Sequence, residues 1–206
     1  MSTLTAVRAH DRATTAAGTV LLLHGFGSHE HDLAGLGDLV SDTLPWVSLR
    51  APLALSPRGF AWFPVVTPGS PDPASVATAT DAIWAWVDEY LGADAPVIPL
   101  GFSQGGLMAT QLLRTRPDRV RATVVLGGFV QAAEQPVDEE LARSRPPVFW
   151  GRGADDHVIA EHAIDRTTQW LPAHSTLVEK VYPGLGHGID GRELADVRAF
   201  LAERTS

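Results

Sequence analysis

Cysteine is absent from all 206 residues. That absence removes a disulfide framework, a thiolate zinc site and a cysteine nucleophile from consideration. Long apolar runs are missing too. The longest, such as 19–23 and 122–126, fall far short of the roughly 20 residues that a membrane-spanning helix needs. Residues 1–17 mix polar and charged side chains without the apolar stretch of a secretory signal. The expectation is a cytoplasmic protein without stable membrane insertion. Positive charge is in short supply as well: 16 Lys and Arg face 24 Asp and Glu, a net charge of -8. No basic stripe is visible, which disfavours nucleic acid and anionic membranes as partners and points to a small molecule.

What is present is enough for a core. With 45% hydrophobic residues, a chain of this length is expected to form one domain over residues 1–206. Short β-branched or leucine-rich runs recur at 18–23, 46–50, 97–101, 122–126, 147–150 and 176–182. Most lack apolar/polar alternation, the pattern of strands buried on both faces in a parallel sheet. Helical patterns lie between them. The clearest covers 75–91, where Val76, Thr80, Ile83, Val87 and Leu91 share one face and Asp72-Pro73 supplies an N-cap followed by proline at the first helical position. Others begin near His31, Gly105, Ala160 and Asp190, the last turning Leu194, Val197 and Leu201 inward. Alternating strands and helices predict an α/β fold: a single doubly wound, mostly parallel sheet flanked by helices, with no large lid domain. The one long irregular segment, 51–73, contains Phe60, Trp62 and Phe63. These aromatics predict a packed loop beside the site and are the candidate substrate-binding residues.

The pentapeptide Gly101-Phe102-Ser103-Gln104-Gly105 follows a predicted strand and precedes a predicted helix. A serine in a strained strand-to-helix turn needs neighbours without Cβ atoms, and glycine supplies them. Its Oγ then stands clear of the sheet at the positive end of a helix. A glycine-rich packing turn would carry the same letters; the strand before it and the helix after it tell against that.

A serine hydroxyl is a poor nucleophile at neutral pH. It needs a histidine to take its proton, and a carboxylate to hold that histidine in the right tautomer. Around such a turn the chain order is serine, acid, histidine. Of the eight histidines, His10, His24, His29 and His31 precede Ser103, and His24 reads as structural. His162 and His174 lie in or beside a predicted helix as surface groups, and His157 is too close to the candidate acids to be oriented by them. His187 remains, in the loop Pro183-Gly184-Leu185-Gly186-His187-Gly188 after the last strand. Asp155 and Asp156 both follow the strand at 147–150, and the residues alone leave that choice open. Glu134, Asp138, Glu139 and Glu140 read as solvated charge.

Acyl transfer also needs backbone N–H groups aimed at a developing oxyanion. Gln104, after the serine, offers one. Phe26, in the glycine-flanked turn His24-Gly25-Phe26-Gly27, offers the second. No histidine–carboxylate pattern with metal-ligand spacing occurs, and neither metal nor cofactor is expected.

With these pieces in place the chain resembles, over nearly its whole length, the carboxylesterase/phospholipase family of small α/β-hydrolases, which includes bacterial carboxylesterases, lysophospholipases and acyl-protein thioesterases. The resemblance rests on Leu23-His24-Gly25-Phe26-Gly27 with Asp32-Leu33, on Arg50-Ala51-Pro52 leading to Ala61-Trp62-Phe63, and on Gly101 to Gly106 around the serine. It continues through Arg152-Gly153-Ala154-Asp155-Asp156-His157-Val158-Ile159 and Gly186-His187-Gly188. It implies an α/β-hydrolase fold and a serine hydrolase cleaving esters of short to medium acyl chains through an acyl-enzyme. The family's His-Gly-x-x-Asp spacing, counted from Gly153, selects Asp156 as the acid, although Arg152 stands where that histidine would be and His157 and Ala160 replace prolines. Thioesterase and lysophospholipase activity are the alternatives with the same machinery; a non-catalytic ligand-binding protein of this fold is the alternative from another class. A homodimer is left open.

Overall fold

In a computed structural model that describes residues 4–8 and 15–205, nine strands and six α-helices follow one another along the chain. His10 and most of the first 17 residues lie outside the described residues. The strands are β1 (Ala6–Arg8), β2 (Thr19–Leu23), β3 (Trp46–Leu49), β4 (Leu53–Ser56), β5 (Gly59–Ala61), β6 (Val97–Phe102), β7 (Thr123–Leu126), β8 (Pro147–Gly153) and β9 (Thr176–Tyr182). The helices are α1 (Gly37–Val40), α2 (Pro73–Tyr90), α3 (Gln104–Leu113), α4 (Asp138–Ser144), α5 (Glu161–His174) and α6 (Gly191–Thr205).

Seven strands form one sheet in the order β1-β3-β2-β6-β7-β8-β9. Every pairing in it is parallel except β1 with β3. The missing alternation follows from two cores. Leu21, Leu23, Val47 and Trp150 face one core together with α2, α3 and α5, while Val20, Leu22, Trp46 and Phe149 face the other with α1 and α6. Successive side chains of a strand point to opposite faces, so a strand covered on both sides must be apolar throughout. No described helix is long and apolar enough to cross a membrane.

The helix expected near His31 is reduced to a 3-10 turn at Ala34–Leu36 and the four residues of α1. Gly35 and Gly37 account for this, each costing a helix about 1 kcal/mol relative to alanine. Gly37 also seats the Trp46 indole where a Cβ would come within 2.4 Å of the ring. Asp138 is not simply solvated charge: it opens α4 and accepts from the Arg114 Nε at 2.8 Å, and Arg114 is 1% exposed. A guanidinium so buried requires a counter-charge and hydrogen bonds.

Ser103 follows β6, Asp156 follows β8 and His187 follows β9. All three stand beyond the carboxyl ends of parallel strands, where open α/β sheets place their ligands.

Candidate active site

Between β6 and α3 the chain reverses in a single residue. Ser103 holds φ at +55° and ψ at -115°. Its N–H donates to the Leu126 carbonyl at 2.8 Å and its carbonyl accepts from Gly106 N at 2.9 Å. The turn is tight enough that a Cβ on Gly101 would meet the Gly105 carbonyl oxygen at 1.9 Å, and a Cβ on Gly105 would meet the Leu23 carbonyl oxygen at 1.9 Å. Both glycines are therefore required by close backbone approach.

His187 Nε2 lies 2.9 Å from Ser103 Oγ, and His187 Nδ1 lies 2.7 Å from Asp156 Oδ2. Because an ionised carboxylate only accepts, Nδ1 carries the hydrogen and Nε2 presents its lone pair to the serine. The imidazole also leans on the Phe102 ring, centroids 4.9 Å apart. The other carboxylate oxygen, Oδ1, accepts from Val158 N at 2.9 Å and Ile159 N at 3.3 Å. The Asp156 side chain is 4% exposed and that of His187 16%. Asp155 is exposed and contributes its backbone N–H to the Leu185 carbonyl at 2.9 Å. Of the histidines set aside, His157 is exposed, His162 meets Ser70 Oγ at 3.1 Å, and His174 stacks on Trp170.

The turn after β2 is held from several sides. His24 is buried; its Nδ1 donates to the Gly25 carbonyl at 2.8 Å and its Nε2 accepts from Ala51 N at 3.1 Å. Those bonds need the neutral ring, and burial pushes its pKa down. The Trp62 indole donates to the His24 carbonyl at 2.8 Å. Gly27 N donates to the Phe60 carbonyl at 2.9 Å, and Phe60 N to the Ser28 carbonyl at 2.8 Å. Phe26, Ser103 and Gln104 border one cavity of about 190 Å³. Gln104 opens α3, where the first N–H groups have no intrahelical acceptor. Its side chain does something the sequence did not signal: Oε1 accepts from Trp62 N at 2.8 Å and Nε2 donates to the Phe63 carbonyl at 2.7 Å.

Phe63 lines the cavity, together with Phe129, Val158 and Ile159. Trp62 and Phe60 do not. Trp62 is 1% exposed in the core beneath the turn after β2, and the Phe60 ring lies 4.6 Å from the Arg50 guanidinium on a separate polar cavity. Both residues stand in the bend that follows β5. Among the described residues no group of three His, Asp or Glu is placed to hold a metal ion.

The profile of a family described as Phospholipase/Carboxylesterase matches residues 5–205. Carboxylesterase SOBER1 of Arabidopsis thaliana is 29% identical over 143 residues, covering 66% of this chain and 62% of that protein. The chain thus spans less than two thirds of that relative's length. Acyl-protein thioesterase 1 of Kluyveromyces lactis is 22% identical over 223 residues, covering 97% of both chains. The crystal structure of a Bacillus cereus carboxylesterase superposes with a TM-score of 0.82 at 18% identity, covering 98% of this chain and 94% of that one. A likeness at that identity establishes the fold.

Proposed function

The chain belongs to the phospholipase/carboxylesterase family, and from that membership we propose that it is a cofactor-free serine hydrolase cleaving carboxylic esters of short to medium acyl chains. The observation that carries this reading is the continuous relay from Asp156 through His187 to Ser103, with contacts of 2.7 and 2.9 Å. His187 Nε2 takes the Ser103 proton as Oγ bonds to the ester carbonyl carbon. The carbonyl oxygen becomes an oxyanion, received by the backbone N–H groups of Phe26 and Gln104 and favoured by the positive end of α3. Asp156 stays ionised and stabilises the imidazolium. Collapse breaks the bond to the alcohol oxygen, to which His187 returns the proton, leaving an acyl-enzyme on Ser103. Water then attacks the acyl carbon while His187 takes its proton. Ser103 departs, recovering that proton, and the acid is released.

The apolar cavity beside Ser103 supports an apolar acyl group, and its modest size supports a short one. The near full-length match to an acyl-protein thioesterase favours thioesters as a second substrate class, since the same relay serves a sulfur leaving group. Labelling by a fluorophosphonate and hydrolysis of p-nitrophenyl butyrate test the reading together. Ser103→Ala is expected to abolish both, with turnover falling on the order of a millionfold. Retention of a tenth of the activity would refute the mechanism, and a folded wild type that is neither labelled nor active would leave a ligand-binding protein. Oxygen and sulfur esters of one acyl group then separate the two substrate classes.

A further inference from the structure

Two irregular stretches face each other across the cavity beside Ser103. One runs from β5 to α2 and contributes Phe63, Val65, Pro68 and Gly69; the other follows β7 and contributes Phe129. Arg166, on α5, joins them. Its Nη2 donates to the Gly69 carbonyl at 2.8 Å and its Nε to the Val130 carbonyl at 2.8 Å. The neighbouring Thr167 hydroxyl accepts from Val130 N at 3.0 Å, and His162 Nε2 lies 3.1 Å from Ser70 Oγ. Gly69 presses flat against the start of α5: its φ is +73°, and a Cβ there would meet His162 Nε2 at 2.8 Å, the Ala160 Cβ at 2.9 Å and the Ala163 Cβ at 3.0 Å. At its other end the same wall is tied by Gln104 to the Phe63 carbonyl at 2.7 Å. Between the two ties the chain has no regular structure and exposes Val65 and Val66.

Both of these Arg166 bonds go to neutral backbone carbonyls, and burial lowers its pKa. A half-buried guanidinium loses hydration, and its rigid fork is suited to holding two acceptors in fixed relation. We propose that Arg166 is a positioning residue that sets the width of the acyl cavity by pinning Gly69 to Val130, and thereby sets which acyl lengths are accepted. The inference rests on the esterase reading above. Its effect is confined to the cavity walls, because Arg166 bonds to none of Ser103, His187 and Asp156.

The test is a chain-length series of p-nitrophenyl esters, acetate to octanoate, with wild type, Arg166→Met and Arg166→Lys. Methionine keeps reach and loses both donors. In Arg166→Met the KM for hexanoate and octanoate is expected to rise about tenfold, with the acetate KM and every kcat within about twofold of wild type. Lysine offers a point donor rather than a fork and is expected to fall between. Gly69→Ala strikes the same contact from the other wall and should reproduce the length-dependent change; it decides the matter alone if Arg166→Met does not fold. A uniform change across all lengths, or none, overturns the inference. A folded wild type inactive on every ester overturns the esterase reading instead, a result distinguishable from an active wild type whose length profile survives in both variants.

Discussion

Ser103 and Arg145 are the described non-glycine residues at positive φ, and only Ser103 is within hydrogen-bond reach of a histidine. Such a conformation costs about 1–3 kcal/mol and persists because its surroundings over-determine it. Here the Leu126 carbonyl and the first turn of α3 do so. Asp156 is fixed as firmly: one oxygen serves His187 and the other accepts from two backbone N–H groups. Asp155, exposed one residue earlier, touches the loop through its backbone. Replacing the carboxylate that orients such an imidazole by its amide lowers turnover by about ten-thousandfold in a comparable enzyme. Asp156→Asn is therefore expected to be nearly inactive, and Asp155→Asn to lose at most about tenfold. Kinetics of the two purified variants on one soluble ester check this. The reverse ranking would move the acid to Asp155, and two fully active variants would mean that the carboxylate lies elsewhere.

At the scale of elements, the join of β2, β6 and α3 is the most demanding part of the fold. Alanine at 105 would drive its Cβ to 1.9 Å from the Leu23 carbonyl oxygen and 2.8 Å from that of His24. Those are backbone atoms, so the end of β2 that carries the turn to Phe26 has to shift. Gly105→Ala is expected to cost on the order of 3 kcal/mol of stability and to lose turnover with it. Gly35, where a Cβ would meet nothing within 4 Å, is the control: Gly35→Ala should leave turnover unchanged and stability equal or higher by up to about 1 kcal/mol. Thermal unfolding with ester kinetics checks the pair, and an unaltered midpoint for Gly105→Ala would contradict the close approach. The glycines at 101 and 105 were legible in sequence because their need is local, as were the central strands, each an apolar run buried on two faces. The β4–β5 hairpin was not: Leu53–Ser56 is exposed along its whole length and shows no alternation. Nor was α4, in which Leu141 is the one buried residue. The cavity walls were illegible for another reason. Their ties run from Arg166 to Gly69 and from Gln104 to Phe63, 97 and 41 residues apart, and leave no period in the sequence.

Across the described residues, acids drawn wholly or partly out of solvent are matched to arginines or, at Asp156, to His187. Glu30 pairs with Arg50, Asp138 with Arg114, and Asp88 with Arg116 and Arg119. Glu193 is the exception. It is fully buried on α6 against Gly151 of β8, and neither carboxyl oxygen has a hydrogen-bond partner. Burial, reinforced by the nearby charge of Asp190, pushes its pKa from 4.5 up to about 8. Below the unfolded value the group is protonated in both states and adds no pH dependence. Between the two values the unfolded chain has lost a proton that the native protein keeps, so its contribution to stability falls as pH rises; above about 8 both states are ionised and the penalty is constant. Glu193→Gln removes this titration. The stability of the variant relative to wild type should therefore grow by on the order of 3 kcal/mol from pH 5 to pH 8 and then level off. Urea unfolding of both proteins across that range at fixed ionic strength measures the difference. A difference that stays constant with pH would show that Glu193 is already ionised in the native protein, and that the interior beneath the His187 loop is more polar than its packing implies.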